Sequence, residues 1–210
     1  MIETVSNVMW IGRMTRLPVV RRLILLSVLC SLASLAVTVP ASATTTFTNT
    51  APITIPSSGN ASPYPSEING CGLAGPITDL SVTLHRFGHK FPSEVDILLV
   101  SPSGTGVVLM SDACANAGNI EEKTWVFSDS ALTGTMAGNC EQSIYRPTNV
   151  FSGPDGWPPP APAGPYSENL GAFNNEVAKG TWKLYVVDDT GNDGGNRSRK
   201  TQAWSSSHAV

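Results

Sequence analysis

Past residue 43 the chain nowhere offers twelve consecutive residues with apolar side chains at helical spacing, and Gly and Pro recur throughout it. Helix suffers most from such interruptions. A proline inside a helix removes a hydrogen bond and clashes with the preceding turn, and a glycine loses the most backbone entropy. With 19 Gly and 16 Pro in 210 residues, short strands joined by turns are the arrangement left. An apolar content of 41% can furnish a core, so disorder is not expected. At about 150 residues per domain the length suits one domain behind a leader.

The strand signals are specific. Residues Ile77 to His85 alternate apolar and polar side chains, as a half-buried strand does. Val95 to Val100 is almost continuously apolar, which fits a strand covered on both faces. Ser101-Pro102-Ser103-Gly104-Thr105-Gly106 reads as a turn that returns the chain into Val107 to Met110 as a hairpin. Thr124 to Phe127 and Thr181 to Val187 are further strands. Pro154, Pro158, Pro159, Pro160, Pro162 and Pro165 fall between Ser152 and Tyr166, a density that no ladder survives and that predicts a surface loop of polyproline character. The pattern predicts an all-β antiparallel sandwich or barrel.

Arg21-Arg22 leads into the apolar stretch Leu23 to Val37, and Pro40-Ala41-Ser42-Ala43 supplies small residues at a cleavage site. This is the pattern of a secretory signal peptide over residues 1–43, cut after Ala43, which leaves 44–210 as a secreted chain with no membrane attachment. The apolar stretch, about 17 residues, falls short of the roughly 20 that a span needs. Leu29 before Cys30 argues against a lipid anchor, and translation starts at Met1 or at Met14. Cleavage would leave 9 basic and 15 acidic residues, a net charge of −6, which disfavours nucleic acid and anionic membranes as partners. In an oxidising compartment Cys114 and Cys140, both in polar, Gly-containing sequence, are the expected disulfide, with Cys71 free. The alternative is that all three stay reduced. No Cys/His spacing marks a zinc site.

Several separated stretches resemble one family. His89-Lys90-Phe91-Pro92-Ser93-Glu94-Val95-Asp96-Ile97-Leu98-Leu99-Val100, Ser101-Pro102-Ser103-Gly104 and Leu109-Met110-Ser111-Asp112-Ala113 carry the likeness, with Ala61 to Ser66, Tyr145 to Asn149, Pro162 to Tyr166 and Gly180 to Asp189 in support. Together they resemble the P domain, or Homo B domain, that follows the subtilisin-like catalytic domain of kexin- and furin-type proprotein convertases, in its secreted bacterial version. The likeness covers about residues 47–195. It implies a jelly-roll-like β-sandwich that is not itself catalytic and that supports the folding, stability and calcium or pH response of a neighbouring protease. His85 and His89, either side of Arg86-Phe87-Gly88, could bind a metal or titrate, and the resemblance, which puts His89 at the motif histidine, favours a structural hydrogen bond near its turn over ligation. Ser93 stands where the family has a second acidic residue, leaving Glu94 and Asp96 as the local carboxylates. Residues 196–210 replace the family's closing apolar strand by a polar tail in which only Trp204 keeps that strand's character. A shifted reading frame, a degraded strand and a true variant all fit that tail.

Asp189-Thr190-Gly191 superficially matches the Asp-Thr-Gly of aspartic proteases and of the subtilisin aspartate. A subtilase also needs a His-Gly-Thr segment and a Gly-Thr-Ser nucleophile, and neither occurs; no catalytic residue is assigned. The turn Asp188 to Gly194 gathers Asp188, Asp189 and Asp193, hard oxygen ligands suited to Ca²⁺, with Asp96 as a fourth candidate from another strand. The ordinary alternative is a solvated acidic turn. Ca²⁺ is the one cofactor that these side chains suggest. Trp157, Tyr166 and Phe173 near the Pro-rich loop are candidates for stacking on a sugar or for covering the sandwich edge. Two functions are therefore expected: an accessory module for a subtilisin-like protease acting in trans, or a stand-alone extracellular module that binds protein or glycan.

Overall fold

A computed structural model describes residues 44–73, 75–151, 155–191, 199–201 and 203–210. The expected leader at 1–43 and Asp193 lie outside the described residues. In chain order the strands are β1 (Thr44–Asn49), β2 (Ile53–Ile55), β3 (Gly59–Asn60), β4 (Ser66–Gly70), β5 (Asp79–His89), β6 (Val95–Val100), β7 (Gly106–Ser111), β8 (Ile120–Phe127), β9 (Ile144–Tyr145), β10 (Thr148–Asn149), β11 (Gly180–Asp188), β12 (Arg199–Thr201) and β13 (Ala203–Ala209). The only helical pieces among the described residues are 3-10 turns at Pro92–Glu94 and Leu170–Phe173.

The strands form the expected sandwich. One sheet runs β1-β13-β5-β8-β9, the other β10-β7-β6-β11-β3 with β4 also paired to β11, and β2 and β12 make a separate two-stranded ribbon. Pairing is antiparallel except where β10 lies along β7 and β9 along β8, two residues each and both parallel. The sheets are thus mixed, with the parallel pairs confined to short additions at their edges.

The alternation read from Ile77 to His85 is realised in β5, where Leu80, Val82 and Leu84 are buried. The strand begins at Asp79, two residues later than expected, and continues to His89 past a bulge that contains Arg86 at φ 55°. Strand β6 is buried along its whole length, because the sheet has cover on both sides. Val95, Ile97 and Leu99 enter the main core, whereas Leu98 and Val100 join Val108 and Tyr185 in a second cluster. Tyr64, Trp157, Ala161 and Tyr166 pack on that second cluster, so the Pro-rich segment covers the outer face of the six-stranded sheet.

The polar tail contains a strand. Residues 203–209 form β13, which lies between β1 and β5 inside the five-stranded sheet. A ladder needs only backbone N–H and C=O groups, so the serine-rich sequence pairs as well as an apolar one would. Trp204, Ser206 and His208 are all fully buried, and the polar pair finds a local solution: His208 Nε2 lies 2.9 Å from Ser206 Oγ. The Trp204 indole donates to Ser66 Oγ at 3.0 Å. Cys114 and Cys140 form the expected disulfide between the segment after β7 and the one before β9, and Cys71 is free and exposed.

Candidate functional site

His89 sits at the C-terminal end of β5 and Asp188 at the C-terminal end of β11. The two side chains meet, with His89 Nε2 3.1 Å from Asp188 Oδ2, while His89 Nδ1 lies 2.9 Å from the Phe91 carbonyl oxygen. Asp188 Oδ1 also accepts from the Thr190 N–H at 3.3 Å. His89 therefore ties the chain after β5 to the end of β11. Asp189 carries the junction on, since its N–H donates to the Glu94 carbonyl at 3.0 Å.

Next to this latch lies a group of carboxylates. Asp96 projects from the outer face of β6, on the same side as Leu98 and Val100, and is only 4% exposed. Its Oδ1 is buried without a hydrogen-bond partner. Burial pushes its carboxyl up to about 7, a hydrogen bond from Ser111 opposes the rise, and the charges of Asp189, Asp155 and Asp112 add to it. Asp112, just past β7 at φ 51°, and Asp155 are likewise raised, chiefly by burial. Of the four candidate calcium ligands, Asp189 is near enough for its charge to raise Asp96, Asp188 is engaged by His89, and Asp193 lies outside the described residues. Asp112 and Asp155 are the members that sequence reading missed. They lie 16 and 59 residues from Asp96, and the only signal in the sequence is the place of Asp112 in the stretch Leu109 to Ala113. No three His, Cys, Asp or Glu side chains among the described residues already close on one point as a metal cage.

Beside the carboxylates, a groove of about 710 Å³ opens along the Pro-rich segment, lined by Val108, Asn149, Asp155, Trp157, Tyr166 and Glu168 among others. Trp157 and Tyr166 meet edge to face with centroids 6.2 Å apart. Three tyrosine hydroxyls hold the segment: Tyr64 donates to the Pro158 carbonyl at 3.0 Å, Tyr185 to Pro160 at 3.2 Å, and Tyr166 to Pro162. A polyproline run lacks N–H donors but keeps its carbonyls, and alternate carbonyls here find donors on the loop before β4, on β11 and on the segment itself. Burial raises all three tyrosines above their usual range. Phe173 is elsewhere, fully buried against Trp182 at 5.1 Å, and is no part of a sugar-stacking surface.

Two serine–histidine pairs occur that sequence reading did not single out, His85 Nε2 to Ser205 Oγ at 3.1 Å and the buried His208–Ser206 pair. The second lacks the orienting acid of a catalytic triad, because His208 Nδ1 is buried with no partner. Asp189-Thr190-Gly191 forms the exit of β11, where the Thr190 hydroxyl donates to Asp189 Oδ1 at 3.0 Å.

No family model and no curated protein matches this chain. Among solved structures, it is similar to the serine protease of Aeromonas sobria in complex with its chaperone, at 14% identity and a TM-score of 0.38 over 87% of this chain and 29% of that one. A structure of the serine protease of Aeromonas sobria gives 14% identity and a TM-score of 0.36 over 83% of this chain and 28% of that one. The chain spans less than a third of the length of these proteases.

Proposed function

We propose that this chain is an exported, non-catalytic sandwich module of the P-domain kind, which stabilises or regulates a subtilisin-like serine protease acting in trans. The observation that carries the reading is the use made of the motif residues. His89 joins two strand ends through Phe91 and Asp188, Val95 to Val100 form a doubly covered strand, and Ser101 to Gly104 close its hairpin. Each of these residues serves to hold a rigid sandwich together, which is what an accessory module needs and a hydrolase site does not. A net charge of −6 after removal of residues 1–43 suits a protein partner outside the cell better than nucleic acid or an anionic membrane. The test is a pull-down from culture medium with the tagged full chain, followed by heat inactivation of any captured protease with and without it. Capture of a subtilisin-like protease whose half-life lengthens supports the reading. A medium that yields none sinks it.

The groove favours a second reading, a stand-alone glycan-binding module. Trp157 and Tyr166 offer apolar ring surface beside the polar Asn149, Asp155 and Glu168, the combination that sugar rings and hydroxyls require. Glycan-array binding that disappears in Trp157→Ala and weakens in Glu168→Gln would establish it in place of the first.

A further inference from the structure

We infer that the groove along the Pro-rich segment binds an arginine side chain presented on an extended segment of a protein partner, with Asp155 and Glu168 taking its charge and Trp157 and Tyr166 its flat face. The inference rests on the first reading only in taking the partner to be a protein. It gives the groove to protein and not to glycan.

The lining is unbalanced in charge and in hydrogen bonding. Asp155 and Glu168 line the same cavity of about 710 Å³, and no Lys, Arg or His side chain is among the described residues around it. Its side-chain donors are largely spent. Asn149 Nδ2 donates to Asp155 Oδ2 at 3.2 Å and the Tyr166 hydroxyl to the Pro162 carbonyl, while Asn149 Oδ1 is buried without a partner. Pro159, Pro162 and Pro165 contribute carbonyls and no N–H. Among the lining side chains only the Trp157 indole N–H, also buried and without a partner, is left to donate.

A ligand that fits such a lining donates many hydrogen bonds, accepts none and carries positive charge. The guanidinium group does all three, with its N–H donors in a planar fork, no acceptor and a permanent charge. A sugar hydroxyl brings two lone pairs for each hydrogen, against a wall already made of acceptors. The rings select further. Trp157 and Tyr166 stand at 82° with centroids 6.2 Å apart, so their planes form a corner that offers a face to a flat cation. An ammonium is a compact, strongly hydrated point charge that has neither the fork nor the plane, which places arginine ahead of lysine. The volume suits a short peptide segment, and the 15 acidic against 9 basic residues over 44–210 steer a basic segment toward the chain.

The probe is a blocked glycine peptide with one arginine at its centre, titrated into the isotope-labelled full chain and read by NMR at the Trp157 indole N–H, a signal that Trp157→Phe identifies. Citrulline, which keeps the planar head and loses the charge, replaces arginine in the control peptide. The arginine peptide should shift the Trp157 signal, and the citrulline peptide should bind at least about tenfold more weakly, as for one lost hydrogen bond between charged groups. Asp155→Asn and Glu168→Gln should each weaken the arginine peptide by a like factor, while Asp79→Asn, on an exposed strand end, should not. Urea unfolding checks that the variants fold. Equal binding of the arginine and citrulline peptides would overturn the proposal, as would binding that survives both substitutions. So would a Trp157 signal that the arginine peptide leaves unmoved, whether or not cellohexaose shifts it. A protease captured from medium as well by the Asp155→Asn, Glu168→Gln double variant as by wild type would also overturn it, and would leave the first reading intact.

Discussion

His89 and Asp188 end two strands of different sheets and meet in the interior, Nε2 to Oδ2 at 3.1 Å, with the two side chains 1% and 0% exposed. The contact links β5 in one sheet to β11 in the other. Removing either partner of such a buried pair strands the other without its counterpart. His89→Ala or Asp188→Ala should each cost about 3–5 kcal/mol, and the double variant much less than their sum. Urea unfolding of the three variants checks this; simple additivity would show that the two groups do not depend on each other.

His208 predicts an acid-sensitive stability. It is fully buried between the rings of Phe47 and Trp182 with Ser206 on Nε2, and burial alone lowers it from 6.5 to about 4. The unfolded chain therefore takes up a proton below 6.5 that the folded chain refuses until about 4. This contribution is complete above 6.5 and drains away as pH falls toward 4, by on the order of 3 kcal/mol. The raised carboxyls act with the opposite sign as pH changes, so the readout is the difference between wild type and His208→Phe. That difference should change with pH between about 4 and 6.5; a constant difference would refute it.

The Cys114–Cys140 bridge spans a sequence separation of 26. Chain entropy alone assigns a loop of that size about 3.5 kcal/mol. Cys114→Ser with Cys140→Ser should lower the denaturant midpoint with little change in slope, and a non-reduced digest should show these two linked and Cys71 unlinked.

Gly180 is the glycine to test. It opens β11 at φ +133°, and a Cβ there would lie 2.6 Å from Pro102 Cβ in the β6–β7 turn. Gly180→Ala combines strain at positive φ with overpacking, and should destabilise by about 2–4 kcal/mol. Gly104→Ala, also at positive φ but with open space around it, should cost less, about 1 kcal/mol. Equal losses would mean that the Pro102 contact relaxes freely.

Tyr185→Phe removes the hydroxyl that reaches the Pro160 carbonyl and leaves the ring in the outer cluster. A loss of about 1 kcal/mol is expected, with faster proteolysis within the Pro-rich segment. An unchanged cleavage rate would show that ring packing alone holds the segment down.

Much of the fold was legible because strand chemistry is local. The uninterrupted apolar run of β6 announced cover on both faces, Pro102 and Gly104 announced the hairpin, and the prolines of 154–165 excluded a ladder. The polar sequence of β13 misled for the same reason: Trp204, Ser206 and His208 carry little apolar pattern, and the strand exists because β1 and β5 present a backbone edge on either side of it. Asp188 was read with its chain neighbours as one acidic turn, whereas a histidine 99 residues earlier claims it.

By itself the sequence determined the all-β class, the turns and the set of oxygen-rich side chains, since each follows from φ, ψ and hydrogen-bonding preferences acting over a few residues. Only the tertiary structure decided which carboxylates gather beside Asp96 and which of them meets a histidine. Those choices depend on the register of β7 against β10 and of β6 against β11, and register is set by the summed packing of two sheets and not by any one segment.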